Sequence, residues 1–321
     1  MFLFYKFILF YKKKMNIGII APEEKIRGWV STFTKYHENI KISVYPDIDY
    51  EKIECICLWK QPKGILGKLK NLKLIHSMGA GVDHIINDPS CPKGIPICRI
   101  SDDKLSFSMT NYIINAVLFH HRRTLKYQKD KRDRVWDQNT HPEILPVKIG
   151  ILGFGALGSD AADKLGYMGF DVIGYSLNKK ENAKIKVFFG EELDTFLSRI
   201  NILVCTVPYT KKTHHLLDKK LFNKLKKGTY LINVSRGKVQ NEDHILEYID
   251  NKTLSGAFLD VFETEPLPKS SKLWNHERIQ ITPHNASITN EDAAVPQIID
   301  NYKRVLTGDI LVNQVNIDDE Y

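Results

Sequence analysis

A glycine-rich turn between an apolar strand and a helix constrains this chain more than any other feature. KIGIL, at 148–152, is followed directly by Gly153-Phe-Gly155-Ala-Leu-Gly158 and then by the helix-compatible segment SDAADKLGYMG. In such a turn the first glycine permits a sharp bend, the second lets the backbone meet a pyrophosphate, and the third allows close helix packing. The helix N-terminus offers N–H groups to the anion. The pattern predicts a dinucleotide site at Gly153, Gly155, Ala156, Leu157 and Gly158.

Short β-branched runs alternate with helix-compatible segments on both sides of this turn. Before it, five runs from IGII to IPICRI indicate a small open α/β domain. After it, strands and helical crossovers repeat as far as IQITPHN, which is the pattern of a parallel, doubly wound sheet. A long amphipathic helix, SFSMTNYIINAVLFHHRR, and a polar stretch ending at Pro146 separate the two regions.

The predicted fold class is therefore α/β, with two Rossmann-like or flavodoxin-like domains, doubly wound parallel sheets and an active site in the interdomain cleft. The 321 residues exceed the roughly 250–300 at which one core stops growing, so two domains are expected. We assign residues 15–105 and 288–321 to a substrate-binding domain, because a helix near 293–306 is expected to return to the first domain. Residues 106–287 are assigned to dinucleotide binding.

The formal charge of +8 does not predict a nucleic-acid-binding protein. Half of it lies in residues 1–14, MFLFYKFILFYKKK, which have no cleavage site and are too short to span a bilayer. We expect them to be an extension before Met15 or a disordered tail, not a membrane anchor. A second basic run at 120–134 is interrupted by Asp130 and Asp133 and has helical spacing. A solvated or subunit-facing helix is favoured there over a nucleic-acid contact.

Cysteine and histidine usage predicts a metal-free cytoplasmic protein. The five cysteines form an odd set without a Cys-x-x-Cys pair, which indicates reduced thiols. Neither the cysteines nor the histidines have the spacing of a zinc site.

The residue at the end of the strand after the glycine turn decides between NAD and NADP. An acidic side chain there hydrogen-bonds the ribose 2′-hydroxyl and repels a 2′-phosphate. This chain has Ser176 and no acid before Glu181, while Asn178, Lys179 and Lys180 can donate to a phosphate. NADP is therefore favoured and NAD is possible. The alternative for the lysines is a solvated loop, since lysine is less pre-organised for phosphate than arginine.

Three later strand-end segments carry side chains suited to the reduction of a keto acid. They contain Arg236 in NVSRG, Asp260 and Glu265 in GAFLDVFETEP, and His284 in ITPHNAS. Open α/β sheets bind ligands at the carboxyl ends of their strands. Arginine can hold a carboxylate with two hydrogen bonds and polarise the adjacent ketone, while histidine can donate the proton. A carboxylate beside the histidine would stabilise its protonated form.

In this combination and order, the motifs resemble the D-isomer-specific 2-hydroxyacid dehydrogenase family over essentially everything after Met15. Within the family, the chain is most similar to bacterial glyoxylate/hydroxypyruvate reductases. The supporting stretches are LWKQP, MGAGVDHI, FLDVFETEPLP, ITPHNASIT and the terminal NQVNIDDEY. It departs from them at Leu177, where arginine is common, and in its partly reproduced tail. The first departure weakens the NADP prediction and the second leaves the substrate open.

The resemblance implies a role for each site residue. Arg236, Glu265 and His284 would be catalytic, with Asp260 in support near the cofactor. The GAGVD turn at 79–83 would bind the substrate carboxylate through backbone N–H groups. The substrate-binding residues are then Ala80, Gly81 and Val82, with Trp59 as either a pocket wall or a core residue. Further cofactor contacts are predicted at Val207, Pro208, Thr213, Val234 and Ser235.

The predicted function is NAD(P)H-dependent reduction of glyoxylate and hydroxypyruvate to 2-hydroxy acids. One alternative is a family dehydrogenase for another 2-hydroxy acid. A second is a non-enzymatic, corepressor-like NAD(P) sensor, which the intact Arg236, Glu265 and His284 disfavour. Formate dehydrogenase is disfavoured because that relative has glutamine where this chain has Glu265.

A homodimer is predicted through the long helix at 106–123 and the segment beyond it, as in relatives of this family. The helix has an apolar face that is larger than a helix connecting two domains requires. This face is formed by Met109, Ile113, Ala116 and Val117. Trp136 would either reach the partner's substrate pocket or pack within its own subunit.

Overall fold

The computed structural model describes residues 15–37, 39–138, 147–318 and 320–321. The chain divides into two compact units. One contains the described residues up to Lys104 together with Thr289–Tyr321, and the other is Leu105–Ile288. The predicted tail at 1–14 and the end of the linker at Pro146 lie outside the described residues. The binding role assigned to each domain stays a prediction.

The first unit is built on a five-stranded parallel sheet in the order β2-β1-β3-β4-β5. Its strands are β1 (Met15–Ile20), β2 (Ile40–Val44), β3 (Cys55–Leu58), β4 (Leu74–Ser77) and β5 (Ile97–Cys98). Its helices are α1 (Glu23–Tyr36), α2 (Asp83–Ile86) and the C-terminal helix (Glu291–Thr307). The central strands β3 and β4 are buried along their whole length, which explains their continuous apolar sequence.

Buried polar side chains join the C-terminal helix to this sheet. Asn301 accepts a hydrogen bond from the Val312 N–H and donates one to the Val312 carbonyl, both at 2.8 Å, and its Nδ2 lies 3.4 Å from His76 Nε2. His76 Nδ1 donates to the Ser77 carbonyl at 2.8 Å. Complete burial lowers the pKa of His76 to about 4. The ring is therefore neutral at physiological pH, with its proton on Nδ1.

The second unit is built on a seven-stranded parallel sheet in the order β12-β11-β10-β9-β6-β7-β8. Its strands are β6 (Lys148–Leu152), β7 (Asp171–Ser176), β8 (Val187–Phe189), β9 (Ile202–Cys205), β10 (Thr229–Asn233), β11 (Leu254–Leu259) and β12 (Ile279–Ile281). Its helices are α3 (Asp103–His121), whose first turn contains the boundary between the units, α4 (Thr124–Asp133), α5 (Ala156–Tyr167), α6 (Leu193–Leu197), α7 (Lys219–Phe222) and α8 (Glu242–Asp250).

Both sheets are parallel with interleaved helices, so the predicted α/β class is confirmed. In the second sheet the strand order reverses between β6 and β9, and the chain covers both faces with helices. Ligands of open α/β sheets bind outside the carboxyl ends of the strands, at such a reversal. None of the helices within the described ranges is long and apolar enough to cross a membrane.

The structure overturns the reasoning behind the predicted homodimer. The apolar face of α3 is buried in the core of the second unit, where it packs with residues of β6, β9 and β10. It therefore offers no free surface to a partner, and the argument from Met109, Ile113, Ala116 and Val117 was wrong. Trp136 is 87% exposed, which also excludes its packing within the described part of its own subunit. The homodimer itself stays a prediction.

Candidate active site

The glycine turn has the geometry that its sequence predicts. Gly153 has a φ of +104°, which favours glycine, and a Cβ there would lie 2.8 Å from the Val207 nitrogen. A Cβ on Gly158 would lie 2.3 Å from the Gly153 carbonyl oxygen. Both glycines are thus required by the close packing of the turn against α5 and the end of β9.

Gly155 has a different role, because open space lies where its Cβ would project. It is the N-cap residue of α5, and no side chain caps the helix. Its own N–H donates to the Gly153 carbonyl at 3.0 Å. The first-turn N–H groups of Ala156, Leu157 and Gly158 are therefore left without a side-chain cap. An open cradle of this kind fits a phosphate group.

The segment after β9 closes one side of this cradle. Thr206 Oγ1 donates to the Gly153 carbonyl at 2.7 Å, and the Thr206 N–H donates to the Leu152 carbonyl at 2.9 Å. Sequence analysis pointed to the following residues, Val207 and Pro208, and missed Thr206. The only sequence feature that could have indicated Thr206 is its position directly after a buried strand.

Thr213, predicted to contact the cofactor, stabilises its own loop. Its Oγ1 donates to the Pro208 carbonyl at 2.7 Å and accepts from the Thr210 N–H at 2.7 Å. A hydroxyl has one proton to donate, so this loop bond competes with donation to a ligand. A cofactor contact by Thr213 stays a prediction.

Ser176 ends β7 and is only 8% exposed. Its hydroxyl donates to the Asn178 carbonyl, which closes a short turn. Lys179 and Lys180, by contrast, are exposed, and Lys179 Nζ lies 4.0 Å from Glu181 Oε1. Both ammonium groups thus lie at the surface within four residues of the strand end, where they are accessible to an anion.

Arg236 follows β10 on a loop held by a buried amide. Asn233 Oδ1 accepts from the Ser235 N–H at 3.0 Å and from the Ser235 hydroxyl at 2.7 Å, and its Nδ2 donates to Gln240 Oε1 at 2.8 Å. Arg236 is half-buried and its Nη1 donates to the Ser235 carbonyl at 2.7 Å. Ser235 and the buried Val234 therefore shape this loop, and Gln240 is a support that sequence analysis missed.

The Arg236 loop and the loop after β11 are tightly joined. A Cβ on Gly237 would lie 1.8 Å from the Phe262 carbonyl oxygen, so only glycine fits. The carboxylate of Glu263 accepts from the Glu242 N–H at 2.8 Å, and that of Glu242 accepts from the Glu263 N–H at 2.7 Å. This reciprocal pair fixes the second loop, which carries Glu265, against the start of α8.

His284 and Glu265 form a direct pair. His284 Nδ1 lies 2.8 Å from Glu265 Oε2 and 3.0 Å from Oε1, with the side chains 24% and 20% exposed. Because a carboxylate only accepts, Nδ1 carries the proton, and proton exchange with a ligand falls to Nε2. His284 has a φ of +52°, a backbone conformation that costs energy for a residue other than glycine.

Asp260 supports the loop that carries His284. It is 1% exposed and accepts hydrogen bonds from Thr282 Oγ1 at 2.7 Å and from the Asn285 and Ala286 N–H groups at 2.9 Å. Its backbone carbonyl accepts from the His284 N–H at 2.8 Å. Burial raises the pKa of Asp260 above its ordinary value, although these donors oppose the shift.

The structure brings the three motif segments to one edge of the second sheet. Strands β10, β11 and β12 are parallel neighbours, so the loops with Arg236, Glu265 and His284 follow adjacent strand ends. The glycine turn follows β6, at the point where the strand order reverses. Within the described part of the chain, no cluster of three or more potential ligand side chains could hold a metal ion.

The first unit contains the predicted substrate-binding turn after β4. Ser77 Oγ donates to the Gly81 carbonyl at 2.7 Å and accepts from the Gly79 N–H at 3.2 Å. A Cβ on Gly79 would lie 3.0 Å from the Trp59 ring, and Trp59 packs edge-on against His84 at 5.3 Å. The Trp59 ring therefore packs closely against the turn at Gly79. Ala80 and Gly81 are partly exposed, whereas Val82 is buried just before α2.

Comparison with known proteins identifies the same family as the motifs. The family model described as D-isomer specific 2-hydroxyacid dehydrogenase, NAD binding domain, matches residues 114–286. Glyoxylate/hydroxypyruvate reductase A of Photorhabdus laumondii subsp. laumondii is 34% identical over 94% of this chain and 99% of its own length. The protein of the same name from Yersinia enterocolitica is 30% identical with the same coverage.

Two solved structures support the assignment. A D-isomer specific 2-hydroxyacid dehydrogenase from Xanthobacter autotrophicus Py2, in complex with NADPH and MES, has a TM-score of 0.91 and 32% identity over 96% of this chain and 100% of that chain. The NADPH-dependent glyoxylate/hydroxypyruvate reductase of Sinorhizobium meliloti, in complex with NADP and sulfate, has a TM-score of 0.90 and 30% identity with the same coverage. The chain belongs to the D-isomer specific 2-hydroxyacid dehydrogenase family.

Proposed function

We propose that this protein reduces glyoxylate and hydroxypyruvate to the corresponding 2-hydroxy acids with NADPH. The observation that carries the proposal is the bonded pair of His284 and Glu265, whose loops follow strand ends neighbouring that of Arg236. This supplies a proton donor, a carboxylate that stabilises it and an arginine for an acidic substrate. The names of the relatives support the same substrates.

The residues at the glycine turn fit a dinucleotide. The uncapped N–H groups of Ala156, Leu157 and Gly158 would hold the pyrophosphate, because the cradle beside Gly155 is open. The exposed Lys179 and Lys180 favour a 2′-phosphate at the end of β7, and the structures in complex with NADPH or NADP support this choice. When bound, the reduced nicotinamide supplies the hydride for the reaction.

Arg236 would bind the substrate carboxylate. The guanidinium can donate two hydrogen bonds to a carboxylate and polarise the neighbouring ketone. In the first unit, the N–H groups of Ala80, Gly81 and Val82 stay predicted donors to a substrate carboxylate. Longer 2-keto acids present the same carboxylate next to a carbonyl, so the group attached to that carbonyl would separate the substrates.

His284 would supply the proton. As hydride arrives at the carbonyl carbon, the carbonyl oxygen becomes an alkoxide, and Nε2 of the protonated ring gives it a proton to form the hydroxyl. The carboxylate of Glu265 stabilises the positive ring through Nδ1 and fixes its orientation. The ring is then neutral and regains its proton from water.

A substrate panel tests the proposal. Purified protein is mixed with glyoxylate, hydroxypyruvate, pyruvate or phenylpyruvate, each with NADPH or NADH, and the loss of nicotinamide absorbance is followed. We expect the highest kcat/KM for glyoxylate or hydroxypyruvate with NADPH. Tight NADPH binding without turnover of any acid would contradict reduction and favour a sensor. Faster turnover of phenylpyruvate would support the proposed reduction but assign a different substrate.

A further inference from the structure

Tyr112 on α3 belongs to none of the groups assigned above, yet its hydroxyl is bonded to the loop that carries His284. Its partner is Thr282 Oγ1. Thr282 Oγ1 in turn donates to Asp260 Oδ1 at 2.7 Å. Because a hydroxyl has one proton, Thr282 can only accept from Tyr112. The Tyr112 hydroxyl therefore donates to Thr282 Oγ1, and Thr282 Oγ1 donates to the Asp260 carboxylate.

Tyr112 is held firmly enough to act as an anchor. Its ring packs edge-on against Phe258 in the core at a centroid distance of 5.5 Å. Burial raises the pKa of the phenol above its usual range, so the hydroxyl keeps its proton. A second bond joins α3 to the same loop, where Ser287 Oγ donates to the Leu105 carbonyl at 2.9 Å.

The loop needs such an anchor because of the backbone at His284. A φ of +52° is maintained in a residue with a side chain only when its surroundings fix it. Here they do so through Asp260, which binds the next two residues, Asn285 and Ala286, by their N–H groups. The orientation of the imidazole toward Glu265 thus depends on where the Asp260 carboxylate and Thr282 are held.

We infer that Tyr112 is a positioning residue for the reduction. Through Thr282 it holds Asp260, and through Asp260 it holds the backbone that directs His284 toward Glu265. The inference rests on the proposed function, in which His284 donates the proton. Tyr112 itself touches neither His284 nor Glu265 in any bond described above, so its effect is transmitted by the loop.

Variants that remove one hydroxyl at a time test this chain of donors. Tyr112→Phe keeps the ring, and we expect kcat for glyoxylate with NADPH to fall roughly 5- to 30-fold, as for one lost bond in a charged network. KM should change less than kcat. Thr282→Val, which leaves Tyr112 intact, should have a similar effect, and Thr282→Ser, which keeps the hydroxyl, should restore activity. The double variant should be no worse than Thr282→Val, because both remove the same link.

Amide hydrogen exchange gives a readout that does not need turnover. In Tyr112→Phe the exchange of the Asn285 and Ala286 amides should rise roughly 5- to 30-fold, while amides of β6 stay protected. The matched control is Tyr248→Phe. Tyr248 lies on α8, and its buried side chain donates a hydrogen bond from the hydroxyl to Asn223 Oδ1 at 2.7 Å. This control should change neither the exchange of the loop nor kcat.

Two results would overturn the inference. One is unchanged exchange at Asn285 and Ala286 in folded Tyr112→Phe. The other is a double variant whose loss of kcat equals the product of the two single losses, since the hydroxyls would then act independently. If the unaltered protein reduces no keto acid, the proposed function fails instead, and the exchange experiment still decides whether Tyr112 holds the loop.

Discussion

The two units use buried polar side chains in different ways. In the first unit, His76 and Asn301 join a helix to the sheet in the interior of the fold. In the second, Asn233 and Asp260 join loops to one another at the carboxyl ends of the strands. The same type of hydrogen bond therefore stabilises the core in one unit and sets the geometry of a site in the other.

This difference predicts which measurement responds to each change. Removing a polar partner from an interior contact leaves a buried group unsatisfied and lowers the free energy of unfolding. Removing one from the strand-end loops has a similar cost in stability, because Asn233 and Asp260 are also buried, but it moves in addition the groups proposed to touch substrate, so the rate should fall as well.

The largest expected effect lies in the second unit, at His284. Without the proposed proton donor, His284→Ala should lower kcat roughly 10²- to 10⁴-fold and leave NADPH binding and the unfolding midpoint close to those of the unaltered protein. Steady-state kinetics and cofactor titration measure both. His276→Ala is the matched control, because His276 Nε2 also lies near a carboxylate, 3.4 Å from Asp250 Oδ1. Near-normal turnover of His284→Ala would remove the residue from the mechanism.

Acid should destabilise the first unit through His76. Its pKa is about 4 in the folded protein, against 6.5 for an unperturbed histidine side chain, so the unfolded chain binds the proton more strongly. Its contribution to stability is complete above pH 6.5 and is lost as pH falls toward 4, by about 3 kcal/mol in total. Denaturant unfolding at pH 7 and 4.5 should show a smaller loss for His76→Gln, but an unchanged loss for the exposed His214→Gln.

Equal acid sensitivity in His76→Gln and the unaltered protein would contradict this assignment. The activity of the same variant gives a second test. Folded His76→Gln should reduce glyoxylate at pH 7 as fast as the unaltered protein, because His76 belongs to the interior of the first unit.

Arg236 tests the geometry of the strand-end loops at constant charge. Arg236→Lys keeps the positive charge but loses the planar pair of donors, so kcat/KM should fall roughly 10- to 100-fold. Arg199→Lys, at an arginine that packs on the Phe188 ring, should have little effect. A lysine variant with normal efficiency would show that charge alone binds the substrate carboxylate.

The smallest expected effect concerns the choice of cofactor at Ser176. Ser176→Asp places a carboxylate at the end of β7, so the preference for NADPH over NADH should fall about 10-fold or more. The ratio of the two kcat/KM values is the measurement. Ser198→Asp adds the same charge at an exposed serine whose hydroxyl also donates to a backbone carbonyl, that of Thr195 at 3.0 Å. An unchanged ratio in Ser176→Asp would place the 2′-phosphate elsewhere.

Periodic patterns and strand-end motifs were enough to predict the α/β class and the glycine turn. The short strand β8 was missed because three residues are too few for a periodic signal. The face of α3 was misinterpreted because an apolar stripe shows that a helix is covered, but not whether its own chain or a partner covers it.

The supporting residues of the site were harder to predict than the motif residues. Thr206, Gln240 and Thr282 act through bonds between loops that are distant in sequence. Threonine and glutamine at such positions are also common on solvated loops, so residue type alone carries no signal. Their roles follow only from which strands are neighbours in the sheet.

The uncapped start of α5 has a consequence for the protein in a cell. A bound phosphate would take the place of the missing cap, so a ligand that carries it would bind only the folded protein and stabilise it. A dinucleotide at a hundred times its Kd would reduce the unfolded fraction roughly a hundredfold, and with it the number of molecules exposed to proteases. The amount of this protein that a cell maintains would then follow the size of its dinucleotide pool.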